Sequence, residues 1–111
     1  MNTLSTHVLD TAHGCPAAGM LVELVGPGGP ISRELTNPDG RCPDLVTEPL
    51  PPGRYTLRFG VADYFRALGT DLADPPFLDV VTINFAMAQA EGHYHVPLLV
   101  SPWSYATYRG S

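Results

Sequence analysis

Polar and apolar residues alternate with a period of two along most of this chain, a pattern typical of β-strands that bury one face. The clearest example is residues 54–60, RYTLRFG, and residues 80–85, VVTINF, repeat it. Twelve prolines and eleven glycines interrupt the alternation at short intervals, as expected for the turns of a β-sandwich or barrel. The pattern predicts an all-β fold of about eight strands. Further strands are predicted at 6–10, 20–26, 31–36, 93–100 and 104–109.

One segment departs from this alternation. In residues 61–68, VADYFRAL, the apolar side chains recur at helical spacing, so we predict one short helix there. No internal repeat divides the 111 residues, and the proline-rich loop 47–53 is too short to separate two domains. We therefore predict a single domain over residues 1–111. A domain of this size buries only about two-thirds of its unfolded surface, so self-association would add stability.

Charge and hydropathy exclude two classes of partner. The formal net charge is −5, and the six basic residues are scattered singly, so the chain lacks the basic patch that nucleic acid requires. No run of about 18 or more apolar residues is present, so we expect no membrane partner. The opening residues, MNTLSTHVLD, lack the basic start and apolar core of a secretory signal, which favours a cytoplasmic location. Cys15 and Cys42 lack metal-type spacing and are expected to be free thiols.

The four histidines are the first candidates for proton transfer, because the unperturbed pKa of histidine lies nearest neutrality. Alternation places His7 on the strand face opposite Val8. If Val8 points into the core, His7 projects outward from a rigid strand, where a catalytic group can be positioned well. The same alternation places His93 and His95 together on the face opposite the apolar positions of their strand.

Other interpretations of these residues stay open at this point. A strand histidine is most often a surface or hydrogen-bonded residue. A zinc site is an alternative, because His93 and His95 at i, i+2 could supply two of its three or four ligands. Arg41 follows the turn NPDG and could be an anion clamp or a solvated turn residue. His13 lies in a turn-like segment and is expected to be a solvated loop residue.

The chain closely resembles the 5-hydroxyisourate hydrolases, the transthyretin-related enzymes of urate breakdown, in three separated stretches. These stretches are LSTHVLDTAHGCPAAGM at 4–20, TNPDGRC at 36–42 and YHVPLLVSPWSYATYRGS at 94–111. The final Tyr-Arg-Gly-Ser is similar to the tetrapeptide that separates these enzymes from the transthyretin hormone carriers. The resemblance implies a transthyretin-like two-sheet β-sandwich with one short helix. It also implies a homotetramer whose active sites lie in a channel between dimers.

Transferred position by position, the resemblance assigns catalytic roles to His7, Arg41, His95 and Ser111. It assigns substrate binding to His7, Arg41 and Tyr108, and it implies neither a metal nor a cofactor. Tyr108 and Ser111 belong to the terminal tetrapeptide, so the last strand is expected to form a wall of the site. Ser111 would position substrate or water through its hydroxyl or its terminal carboxylate.

The resemblance is not complete. Family members often carry a basic residue where this chain has His13 or Cys15. They often carry a Tyr-Gly pair where this chain has Trp103 and Ser104. These departures concern the packing of loops and the shape of the channel more than the chemistry.

The implied reaction is the hydrolysis of 5-hydroxyisourate to 2-oxo-4-hydroxy-4-carboxy-5-ureidoimidazoline. Opening a lactam ring requires an activated water, stabilisation of an oxyanion and a proton for the departing nitrogen. We expect His7 and His95 to share the proton transfers and Arg41 to stabilise the oxyanion, and either histidine could be the base. The alternative is a non-catalytic, transthyretin-like carrier of small molecules. A carrier channel should be mainly apolar, whereas these polar side chains are costly to cluster without polar chemistry.

Overall fold

Ten strands and one helix build two β layers in the computed structural model, which describes residues 1–110. The prediction for Ser111 therefore lies outside the described residues. Within residues 1–110, no helix has the length and apolar character needed to cross a membrane. The strands are Asn2–Ser5 (β1), Val8–Asp10 (β2), Cys15–Pro16 (β3), Leu21–Gly26 (β4), Gly29–Leu35 (β5), Gly53–Gly60 (β6), Val80–Met87 (β7), Gly92–His95 (β8), Leu98–Val100 (β9) and Tyr105–Thr107 (β10), and the helix is Val61–Ala67 (α1).

The first layer is an antiparallel sheet with the strand order β5-β4-β6-β7. Its central strand β6 shows the predicted alternation, because Tyr55, Leu57 and Phe59 are buried while Arg54 and Arg58 are exposed. The apolar face of this sheet therefore packs inward, and the all-β sandwich expected from the alternation is confirmed.

The second layer depends on parallel pairing between the two ends of the chain. Strand β1 pairs with β8 and places Ser5 opposite His95, while β2 pairs with β9 and places Val8 opposite Leu98. The register is unchanged between the two pairs. Strands β3 and β10 extend this layer, with the order β10-β9-β2-β3.

The strands of this parallel pairing are interrupted at residues 6–7 and 96–97. Two ladder bonds continue across the interruption, because Pro97 directs its backbone to the other side, where its carbonyl accepts from the hydroxyl of Thr107 at 2.7 Å. The N–H of Val96 donates to the carbonyl of Ser5, and the N–H of Leu98 donates to the carbonyl of His7, both at 2.9 Å. The predicted strands 6–10 and 93–100 are thus each divided or shifted, which gives more and shorter strands than the sequence pattern predicted.

Helix α1 covers the edge of the core next to β6 and β7. Val61 and Phe65 are fully buried, and Tyr64 is nearly so, which confirms the predicted short helix. Leu68 shares their spacing but is exposed at the end of the helix, so the spacing predicted one buried position too many.

The turn at residues 37–40 packs directly against the beginning of β2. The N–H of Gly40 donates to the carbonyl of Asn37 at 2.8 Å, and the N–H of Val8 donates to the carbonyl of Gly40 at 2.8 Å. The side-chain oxygen of Asn37 accepts from the N–H groups of Asp39 and Arg41, both at 3.0 Å. This turn therefore fixes the backbone of Arg41 beside His7, which directly precedes β2.

Glycine is required at the end of this turn. Gly40 has φ = +76°, and a Cβ placed there would clash with the carbonyl oxygen of Val8. We expect Gly40→Ala to lower the free energy of unfolding by roughly 2–4 kcal/mol, because it adds a backbone clash to the cost of a left-handed conformation. Denaturant unfolding measures this change.

Gly69→Ala is the matched control. Gly69 has a similar φ of +82° but open space around its Cα, so only the backbone cost of about 1 kcal/mol is expected. Equal destabilisation by the two substitutions would show that the close approach of the turn to β2 is unimportant.

Candidate active site

The predicted residues His7, Arg41 and His95 come together where the interrupted parallel strands meet the 37–40 turn. His7 lies between β1 and β2 and forms an antiparallel bridge with Arg41. His95 ends β8, beside Ser5 of β1. The charges of Arg41 and His7 both lower the pKa of His95, which shows that the three groups share one electrostatic environment.

The face assignments made from the sequence are confirmed. Val8 is fully buried and His7 is half-buried on the opposite face. Tyr94 is buried, whereas His93 is exposed and His95 is half-buried. Both imidazoles of the site therefore project from strands whose other faces are anchored in the core.

A backbone carbonyl fixes the tautomer of His7. The Nε2 atom of His7 lies 2.7 Å from the carbonyl oxygen of Asp39. Since a carbonyl oxygen can only accept, Nε2 must carry the hydrogen. In the neutral ring, the lone pair is therefore on Nδ1, where it can accept a hydrogen bond from water or substrate.

His95 is held as a neutral base. Burial is the largest cause that lowers its pKa below the ordinary 6.5, followed by the charges of Arg41, His7 and His93. A hydrogen bond with the backbone of Ser5 acts in the opposite direction but is smaller. The imidazole of His95 is accordingly unprotonated at neutral pH and able to take up a proton.

The sequence analysis did not assign a role to Ser5. Its hydroxyl oxygen lies 2.8 Å from Nδ1 of His95 and 3.0 Å from Nε2 of His93. Period-two alternation puts Ser5 on the same face as His7, and the parallel register with β8 completes the contact. The two histidines offered as zinc ligands thus share a serine hydroxyl. Within residues 1–110, no group of three or more His, Cys, Asp or Glu side chains has a metal-site arrangement.

Near the C-terminus, Gly110 packs against His95. The N–H of Gly110 donates to the carbonyl of His95 at 2.7 Å, and a Cβ on Gly110 would lie only 2.7 Å from Cδ2 of the imidazole. The guanidinium of Arg109 lies 4.1 Å from the ring centre of Tyr94 and donates to Oε1 of Gln89 at 2.9 Å. Gly110 is therefore held beside His95, while Arg109 is held against Tyr94 on the other face of the strand.

In the single chain, Tyr108 lies on the other side of the strand from His95. Its side chain is 60% exposed and lines a cavity together with Tyr94 and Val96, residues that face the opposite side of the strand from His95. Substrate binding by Tyr108 stays a prediction, as does the role of Ser111.

A second polar cluster, missed in the sequence, surrounds Asp10. Its buried carboxylate accepts from the hydroxyl of Tyr64 at 2.8 Å and from Nδ1 of His13 at 2.6 Å. Burial raises the pKa of Asp10, but the hydrogen bonds from Tyr64 and His13 outweigh that effect and lower it overall. His13 is exposed as predicted, yet it is hydrogen-bonded to this carboxylate and is more than a solvated loop residue.

Both cysteines are free thiols, as expected. Cys15 is exposed and Cys42 is buried. Burial, with a smaller contribution from the charge of Glu34, raises the pKa of Cys42 to about 12. That thiol is therefore protonated and inert at neutral pH.

Comparison with known proteins covers nearly the whole chain. The family described as HIUase/Transthyretin matches residues 4–110. A 5-hydroxyisourate hydrolase from Pseudomonas aeruginosa is 53% identical over 117 aligned positions, which cover 100% of this chain and 93% of that protein.

Two solved structures share the fold. The 5-hydroxyisourate hydrolase of Klebsiella pneumoniae is 36% identical with a TM-score of 0.88, and the match covers 100% of both chains. Sea bream transthyretin in complex with thyroxine is 30% identical with a TM-score of 0.83, over 96% of this chain and 93% of that one. Sequence and architecture agree, and this chain belongs to the HIUase/Transthyretin family.

Proposed function

We propose that this protein hydrolyses 5-hydroxyisourate, opening its lactam ring to give 2-oxo-4-hydroxy-4-carboxy-5-ureidoimidazoline in urate degradation. The observation that carries this proposal is the grouping of His7, Arg41 and His95, with His95 kept neutral by its surroundings. The relative from Pseudomonas aeruginosa, named as a 5-hydroxyisourate hydrolase, supports the same activity.

The reaction begins with a water molecule placed between the two imidazoles. His95 takes a proton from this water while its oxygen forms a bond to the lactam carbonyl carbon. The lone pair on Nδ1 of His7 accepts the second hydrogen of the water and orients it, because Nε2 is already held by the carbonyl of Asp39. The carbonyl electrons move onto oxygen, where the planar guanidinium of Arg41 stabilises the negative charge.

Collapse of the tetrahedral intermediate completes the ring opening. The C=O bond re-forms, the C–N bond breaks, and the protonated His95 gives its proton to the departing nitrogen. Neither a metal nor another cofactor enters this scheme. Tyr108 and Ser111 contribute by holding the substrate or the water, with Ser111 acting as a positioning group and not as a covalent nucleophile.

A carrier function is less well supported by the same residues. A site that only holds an apolar ligand gains nothing from two histidines and an arginine, since their desolvation is unfavourable. The similarity to sea bream transthyretin, at 30% identity, is also lower than the 53% to the Pseudomonas aeruginosa hydrolase. Hydrolysis is therefore the function that the polar cluster favours.

The active assembly in this proposal is a homotetramer in the cytoplasm. β7 and β10 are edge strands of the two layers, as are β5 and β3, and pairing with a second copy would cover such edges. The outer surface near β10 also exposes Trp103 and Tyr105, at 66% and 47%. The free thiols of Cys15 and Cys42 are compatible with a reducing compartment.

The activity assay follows the absorbance of freshly generated 5-hydroxyisourate, with the spontaneous decay subtracted. Wild-type protein should accelerate the decay, and Arg41→Lys should lose at least about a hundredfold in kcat, because an ammonium cannot reproduce the forked donors of a guanidinium. Arg58→Lys, a matched change at an exposed position of β6, should keep wild-type activity. No acceleration by the wild type would refute the proposed function, and full activity in Arg41→Lys would remove Arg41 from the mechanism.

Sedimentation velocity tests the assembly. We expect a species of four chains at micromolar concentration, and we expect Tyr105→Glu to weaken it, because a charge would be buried against another copy. A stable and fully active monomer would contradict the tetramer.

A further inference from the structure

A continuous row of hydrogen bonds connects His95 with an exposed histidine. The Nδ1 atom of His95 lies 2.8 Å from the hydroxyl of Ser5, and that hydroxyl lies 3.0 Å from Nε2 of His93. On the far side, Nδ1 of His93 lies 2.6 Å from the hydroxyl of Thr3. The parallel register creates this row, since it places Thr3 opposite His93 and Ser5 opposite His95.

The hydrogen bonds of this row can point in either of two directions. The hydroxyl of Ser5 has one hydrogen, so it donates to one imidazole and accepts from the other. When it donates to His93, His95 carries its hydrogen on Nδ1, and the lone pair on Nε2 is free to act as a base. When it donates to His95, the hydrogen of His95 is on Nε2, and the ring can act as an acid. The first state becomes the second when one proton moves along each bond, Nε2 of His95 gains a proton, and Nδ1 of His93 loses one.

The proposed reaction makes His95 first a base and then an acid. Its Nε2 atom takes a proton from water and later gives a proton to the departing nitrogen. Between these two steps, a ring that also keeps its Nδ1 hydrogen carries a positive charge, which burial and the charges of Arg41, His7 and His93 disfavour. Passing the Nδ1 hydrogen outward keeps the ring neutral.

We infer that Ser5 and His93 form a proton relay that connects His95 with solvent. This inference rests on the proposed function. When a proton from water arrives on Nε2 of His95, the hydrogen on Nδ1 passes to Ser5, and the hydrogen of Ser5 passes to Nε2 of His93. The Nδ1 hydrogen of His93 then leaves for water by way of the hydroxyl of Thr3. When Nε2 of His95 gives its proton to the departing nitrogen, the same transfers run inward and restore the first state. Ser5 and His93 are positioning residues in this scheme, since they act through His95.

The electrostatics of the site favour movement in the outward direction. Burial and the charges of Arg41, His7 and His93 all disfavour a proton on His95. His93 is exposed to water, which stabilises a transient positive charge there. The proton therefore moves from the crowded, half-buried imidazole to the exposed one.

Chemical rescue distinguishes a relay from a purely structural role. In dilute buffer, His93→Gln should lower kcat at least about tenfold with KM changed by less than about twofold, because the glutamine can hydrogen-bond but cannot pass a proton. Added imidazole should restore most of the lost kcat by replacing the missing group. Wild-type protein and His13→Gln, a matched change at the histidine bound to Asp10, should respond to imidazole hardly at all.

A second pair of variants tests the middle of the row. Ser5→Ala should lower kcat as His93→Gln does, whereas Ser5→Thr keeps a hydroxyl and should retain most of the activity. An unchanged kcat in His93→Gln, a loss that imidazole does not restore, or equal activities of the Ala and Thr variants would overturn the relay while wild-type activity stands. A wild-type protein with no activity would overturn the proposed function and the relay together.

Discussion

The structure depends on the parallel pairing of the first strands with the segment 92–100, nearly the whole chain length away. This pairing places Ser5 opposite His95 and keeps the same register through the interruption at residues 96–97. Within the interruption, the hydroxyl of Thr6 donates to the carbonyl of Val96 at 2.7 Å, so a buried acceptor still has its partner. The outward-facing residues of both segments are thereby held on one rigid surface.

The chemistry follows from the arginine and the imidazoles that this surface holds close together. Three groups that can carry positive charge, Arg41, His7 and His93, surround the imidazole of His95, which is itself half-buried. Such a cluster disfavours a proton on His95 and favours any negative charge that forms nearby. The same arrangement therefore keeps His95 neutral before the reaction and stabilises an oxyanion during it. A carrier of apolar molecules would have no use for this combination.

Much of the fold could be predicted from the sequence because alternation reports directly on burial. The faces of β6 and of the two histidine strands are as predicted, and so is the position of α1. Alternation alone could not group His7, Arg41 and His95, and only the resemblance to a family predicted that they act together. Period-two patterns give the face of a strand but not its partner strand, so they could not bring the two ends of the chain together.

The hydrogen-bond partners of His7, Ser5 and Asp10 could not be predicted, because most of these contacts join residues that are far apart in the sequence. The bond from His7 to the carbonyl of Asp39 requires the 37–40 turn to lie against β2, which in turn requires Gly40 at φ = +76°. The role of Ser5 appears only once the register is known, and the buried carboxylate of Asp10 has partners on the helix and in the next turn.

The central claim is that His95 is a neutral base at neutral pH, and its pKa in the wild-type protein tests this most directly. A titration followed by nuclear magnetic resonance of the imidazole resonances gives that value. We predict a pKa below the ordinary 6.5, with hydrolytic activity falling as the pH drops through it, because the protonated ring can no longer accept a proton from water. A pKa at or above 6.5 would contradict the account.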